Sequence, residues 1–103
     1  DNDWWYFVSR EFADTIHQYA TPGYFTSLNN GVTNGYAWYS ITGGRQDYMN
    51  YYKHCREFTL ELSNDKTPPA SQLPDFWEYD YRSFLNYMKE STYGVRGVIT
   101  NSL

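Results

Sequence analysis

The residues able to do chemistry cluster around one acid. Glu61 stands between Leu60 and Leu62 in EFTLELS, residues 57–63, where an ionised carboxylate among apolar neighbours is costly to keep. Such an acid is either satisfied by a nearby base or backbone N–H groups, or it is a proton shuttle with a raised proton affinity. His54 and Glu57 form a literal H-x-x-E. On a strand, positions three apart point to opposite faces, so this pair could meet a zinc ion only on a helix or turn. His54 therefore reads as a solvated strand-end histidine. Glu57 and Glu61 lie on one strand face about 13 Å apart at about 3.3 Å per residue. Glycosidase carboxylates sit closer, at about 5–9.5 Å, which argues against that chemistry here. His17 falls one residue past the apolar stripe of the first helix and reads as a surface residue.

These side chains need elements to hold them. Trp4, Val8, Phe12 and Ile16 recur at intervals of four and predict a helix over residues 3–19, with Asp1 or Asn2 as its N-cap. Thr21-Pro22-Gly23 ends it, and residues 20–35, rich in Gly and Asn, form a long connection of the kind that carries function. YAWYSI (36–41) and CREFTLELS (55–63) read as strands from their aromatic and apolar content. Between them Gly43-Gly44 opens an irregular or short helical segment. Tyr39, near the end of the first strand, reads by itself as a core residue, although the turn beside it would also suit a side chain that caps a substrate. Pro68-Pro69 breaks the chain, and a last helix begins near Asp75, where Asp75 and Glu78 form a capping-box pattern. This helix is expected to bury Trp77, Tyr81, Phe84, Leu85 and Met88 on one stripe and to stop at Gly94. GVRGVITNSL then reads as the start of another strand. Two recognisable strands are too few to supply neighbours on both sides, which points to part of a larger α/β domain.

Composition narrows the function classes. The 103 residues are 41% hydrophobic and 19% charged, the balance of about one small globular domain. A net charge of −4, with the basic residues scattered, lacks the concentrated Lys/Arg face that nucleic acid requires. The aromatic share of 21% serves either a large core or a surface that grips sugars or peptides, and Tyr24, Phe25, Tyr36 and Tyr48 are the loop aromatics that could form a rim. Cys55 is the single cysteine, so neither an intrachain disulfide nor a Cys-based zinc knuckle can form. No run approaches the roughly 18 apolar residues of a membrane span, and no charged-then-apolar leader opens the chain.

NGVTNGYAWYSITGGRQDY, CREFTLELSNDKTPP and FWEYDYRSFLNYMKESTYGVRGVITN, in this order and at these separations, resemble the C-terminal third of the catalytic domain of zinc metallocarboxypeptidases. The likeness is greatest to the carboxypeptidase N/E/D branch and its bacterial relatives, and it spans essentially the whole chain. The resemblance implies an α/β fold, the C-terminal part of a carboxypeptidase-type mixed sheet flanked by helices, in the order helix, long loop, strand, irregular segment, strand, helix. It implies that residues 1–94 belong to the catalytic domain and that 95–103 begin a following segment, a β-sandwich in that branch. Glu61 is implied as the catalytic general acid/base, and Tyr39 as the mobile tyrosine that closes over the substrate's C-terminal residue. Ile41, Gln46 and Thr59 fall where the family lines the pocket for that residue's side chain. Gln46 matches the Gln of the branch that prefers C-terminal Arg or Lys, whereas Arg45 stands where that branch usually has Met.

Zinc is implied as the cofactor. The family's H-x-x-E and second His, and the arginines that grip the substrate carboxylate, have no counterpart in this chain, so the metal ligands are expected outside it. The chain alone is expected to be inactive and weakly stable, with unpaired strand edges. The implied protein is a secreted or periplasmic hydrolase, a protease acting on peptide or protein C-termini. Its partners would be that substrate and the remainder of the catalytic domain, with no nucleic acid and no membrane span. Two other readings stay open: a non-catalytic homologue that binds peptide C-termini, and an aromatic carbohydrate-binding module.

Overall fold

The computed structural model describes residues 2–95 and 97–101. Helix α1 (Asn2–Tyr19) follows the predicted stripe: Val8, Phe12, Ala13 and Ile16 are buried and Trp4 is half-buried. Asn2 lies inside the helix, and Asp1, the other expected cap, falls outside the described residues. The chain turns at Gly23, whose φ of +91° suits a residue without a Cβ.

The connection that follows is more structured than its composition suggests. Helical turn α2 (Ser27–Gly31) is left-handed inside, with φ of 50°, 61° and 58° at Leu28, Asn29 and Asn30. Asparagine tolerates this region and leucine does not, so the turn must be held from outside. Arg10 supplies one hold, donating from Nη2 to the Asn30 carbonyl at 2.8 Å, and His17 Nε2 lies 3.0 Å from the Phe25 carbonyl. His17 is accordingly half-buried rather than a plain surface residue. Gly31 closes the turn at φ +87°, and a Cβ there would strike the Phe25 carbonyl and ring.

Helix α3 (Gly35–Trp38), helix α4 (Arg45–Tyr52), a 3-10 turn (Ala70–Gln72) and helix α5 (Leu73–Glu90) complete the order. The last helix starts two residues before Asp75: Pro74 in its first turn brings a pre-set φ, and the N-cap Gln72 makes no side-chain bond. Its packed stripe also differs from the expected one. Asp80 and Ser83 are buried and Phe76 and Tyr87 half-buried, positions that share a face, whereas Trp77, Leu85 and Met88 are 60%, 59% and 66% exposed. The expected stripe lies one residue, about 100°, round the helix from the one that packs. Ser83, fully buried like Ala13, ties α5 to α1: its Oγ donates to the Phe12 carbonyl at 2.8 Å.

The expected mixed sheet is not present. No strand occurs among the described residues. Residues 35–38 form α3 instead, because Asn34 caps it: its side chain accepts from the amides of Tyr36 at 3.0 Å and Ala37 at 3.4 Å. Segment 55–63 runs without ladder partners. A strand is defined by pairing, and side chains substitute for a ladder here. Asn50 donates to the Glu57 carbonyl at 2.7 Å and accepts from its amide at 3.3 Å, Tyr87 donates to the Arg56 carbonyl at 2.8 Å, and Tyr24 donates to the Leu62 carbonyl at 3.0 Å. Residues 97–101 form no strand either.

The outcome is an elongated molecule of 62 × 30 × 25 Å with a radius of gyration of 16.5 Å. A compact domain of this length has about 13 Å. The tight packing is confined to the α1–α5 seam and the aromatic contacts around Phe12, whose ring meets Phe58 at 5.4 Å and Phe84 at 5.6 Å.

Candidate active site

Segment 55–63, the loop after α1 and the start of α4 surround a hollow of about 1010 Å³. Gly43, at φ +73°, turns the chain from Ile41 back to α4, which carries Gln46 in its first turn. On the opposite wall, Phe58 is pinned between Phe12 and Tyr87, the latter with ring centroids 4.6 Å apart, and this fixes where Thr59 and Glu61 emerge. Tyr39, Ile41, Gln46, Thr59 and Glu61 therefore line one cavity, although they are spread over twenty-odd positions.

The surroundings of these residues differ from the expected ones. Glu61 is exposed, not enclosed by Leu60 and Leu62, because the segment lies open along the hollow. Tyr39 and Ile41 are each 51% exposed, and Gln46 is half-buried. A carboxylate, a phenol, a carboxamide and a hydroxyl lining one open hollow can hold a peptide end by hydrogen bonds, and the carboxylate can accept a proton. Of the loop aromatics considered for sugar binding, Tyr24, Phe25 and Tyr36 line the same hollow. Tyr24 is occupied, stacked on Phe76 at 5.8 Å with its hydroxyl bonded, and Tyr48 lies instead against Tyr52 at 5.2 Å.

His54 is exposed at φ +52° beside a smaller hollow of about 450 Å³, and Glu57 Oε1 there accepts from Arg45 Nη1 at 2.9 Å. Among the described residues no group of three or more His, Cys, Asp or Glu is placed to hold a metal ion. These residues do not fit zinc, which wants at least three protein ligands.

The group that sequence reasoning missed is Asp80. It is 1% exposed, its Oδ2 lies 3.1 Å from the Tyr24 hydroxyl, and burial pushes its carboxyl up to about 6 despite that bond. Burial, with the Asp80 carboxylate second, pushes the Tyr24 phenol upward, so it keeps its proton. The available signal was spacing: Asp80 shares a helix face with Phe76, Ser83 and Tyr87.

The family profile for zinc carboxypeptidases matches residues 1–83, and the chain belongs to that family. It is 44% identical over 73 residues to Carboxypeptidase E of Caenorhabditis elegans, covering 71% of this chain and 16% of that protein. It is 41% identical over 73 residues to human Carboxypeptidase D, covering 71% of this chain and 5% of that protein. Mouse Carboxypeptidase M is 44% identical over 70 residues, covering 68% of this chain and 16% of that protein. The chain thus spans a small part of the length of the curated relatives it matches. No solved structure matches it.

Proposed function

We propose that this chain is part of a zinc-dependent exopeptidase that hydrolyses the C-terminal residue from peptides or proteins, with Arg or Lys as the preferred end. The observation that carries this reading is the meeting of Tyr39, Ile41, Gln46, Thr59 and Glu61 around one hollow. Residues 1–94 are read as the C-terminal part of the catalytic domain and 95–103 as the start of a following segment. Zinc is assigned to polypeptide outside these 103 residues, in a secreted or periplasmic protein. No helix among the described residues is long and apolar enough to cross a membrane.

In this reading Glu61 accepts the proton of the attacking water and passes it to the departing amine. Tyr39 donates to the terminal carboxylate of the peptide, and Gln46 and Thr59 bond the end of its side chain, with Ile41 along its stem. A second reading, a homologue that binds peptide C-termini without cleaving them, is favoured by the exposure of Glu61.

Hydrolysis separates the two. The parent protein should release Arg from a peptide that ends in it faster than Phe from a matched peptide. Binding of both without release supports the second reading and overturns the first.

A further inference from the structure

The hydroxyl of Tyr24 lies 3.0 Å from the Leu62 carbonyl oxygen and 3.1 Å from Asp80 Oδ2. A carbonyl oxygen only accepts, an ionised carboxylate only accepts, and the hydroxyl has one proton to give. Both contacts are complete when the carboxyl carries a proton: Asp80 Oδ2–H donates to Tyr24 Oη, and Tyr24 Oη–H donates to Leu62 O. The surroundings agree with this arrangement. Asp80 Oδ1 is buried without a hydrogen-bond partner, which costs far more for a charged carboxylate than for a neutral acid. The ion pairs among the described residues, Arg10–Asp14 and Arg45–Glu57, do not involve it.

We infer that Asp80 can carry a proton that, through Tyr24, fastens the Leu62 carbonyl to α5, so that gain or loss of this proton positions the segment carrying Glu61. When Asp80 releases its proton to solvent, the carboxylate becomes the stronger acceptor for the Tyr24 proton and the Leu62 carbonyl loses its donor. Burial places this event within reach of ordinary pH. Other titratable and charged groups lie on the same and the adjoining elements. On α5, Tyr79 packs on Tyr24 with ring centroids 5.0 Å apart, and the Arg82 guanidinium lies over the Tyr19 and Tyr81 rings at 4.0 and 4.2 Å. From α1 come His17, against the Phe25 carbonyl, and Arg10, tied to Asp14 and Asn30. Glu61 and the Arg45-paired Glu57 belong to the tethered segment itself. As a positioning residue for hydrolysis, Asp80 rests on the reading of Glu61 above. The test below reads protons and amides rather than turnover, so the two can fail separately.

The experiment is an NMR titration of the full 103-residue chain from about pH 4.5 to 8, following Asp80 13Cγ and the Ser63 amide, which is bonded to the Leu62 carbonyl carbon. The expected result is one shared midpoint, clearly above the ordinary range of a solvent-exposed aspartate. In Asp80→Asn, whose amide can donate to Tyr24 Oη at every pH, the Ser63 titration should vanish; in His17→Gln it should remain. An Asp80 carboxyl already ionised at the low end of the range overturns the inference. So does a Ser63 amide that does not follow Asp80, that still titrates in Asp80→Asn, or that stops titrating in His17→Gln. The wild-type carbon and amide alone decide the matter if Asp80→Asn does not fold.

Discussion

Asn50 on α4 holds the backbone of Glu57 at both of its polar groups, donating from Nδ2 to the carbonyl at 2.7 Å and accepting at Oδ1 from the amide at 3.3 Å. One carboxamide thereby does for segment 55–63 what a neighbouring strand would do, while Arg45, in the same helix, pairs with the Glu57 carboxylate. Asn50→Ala should free that end of the segment. With a net worth of about 1 kcal/mol per hydrogen bond, exchange of the Glu57 amide should speed up by roughly fivefold or more. Hydrogen exchange measures it, and an unchanged rate would show that the grip is incidental.

The α1–α5 seam gives a contrast between a packed position on α1 and the outward face of α5. Ile16 is 0% exposed, so Ile16→Ala should cost about 2–5 kcal/mol in a denaturant titration. Met88, 66% exposed on α5, should cost within about 0.5 kcal/mol when changed to Ala. Comparable losses at the two positions would mean that the 77/81/85/88 face is the buried one.

Asp80 makes stability depend on pH. Its carboxyl lies near 6 when folded against 3.8 as the reference value, so between these the folded state binds more protons than the unfolded. This contribution is fully present below about pH 4 and is lost as pH rises through about 6, by at most about 3 kcal/mol. The stability of the wild type relative to Asp80→Asn should therefore fall from pH 4 to pH 7. A constant difference would show that the acid titrates alike in both states.

Several of these relationships could be read from residue order and several could not. The spacing of Val8, Phe12 and Ile16 marks α1 because its other faces are polar enough to leave one apolar stripe. In α5 aromatic residues occupy nearly every face, so the Trp77–Met88 stripe looks as apolar as the one that packs, and the buried positions there are an Asp and a Ser, which periodicity discounts. YAWYSI has strand-forming residues, but the local Asn34 cap prevails over that preference. In 55–63 the composition is that of a strand, yet strand formation depends on a pairing partner that no residue of the segment supplies. Tyr39, Gln46 and Glu61, singled out by resemblance, line one hollow. The exposure of Glu61 was not legible, because flanking leucines say nothing about what lies across from them.

The tyrosine and the glutamine of the hollow should separate binding from chemistry. In the parent protein, Gln46→Ala should raise KM for peptides ending in Arg or Lys with a smaller effect on peptides ending in an apolar residue. Tyr39→Phe, which removes only the hydroxyl, should weaken transition-state contacts and lower kcat/KM by about tenfold. Equal effects of Gln46→Ala on all end residues would remove it from the specificity pocket.

The measurement that bears most directly on the account is the steady-state hydrolysis of a peptide ending in Arg by the parent protein carrying Glu61→Gln. A proton shuttle at this position predicts that kcat falls by on the order of 10²–10⁴-fold while KM changes little and the peptide is still bound. A variant that cleaves as fast as the wild type would contradict it.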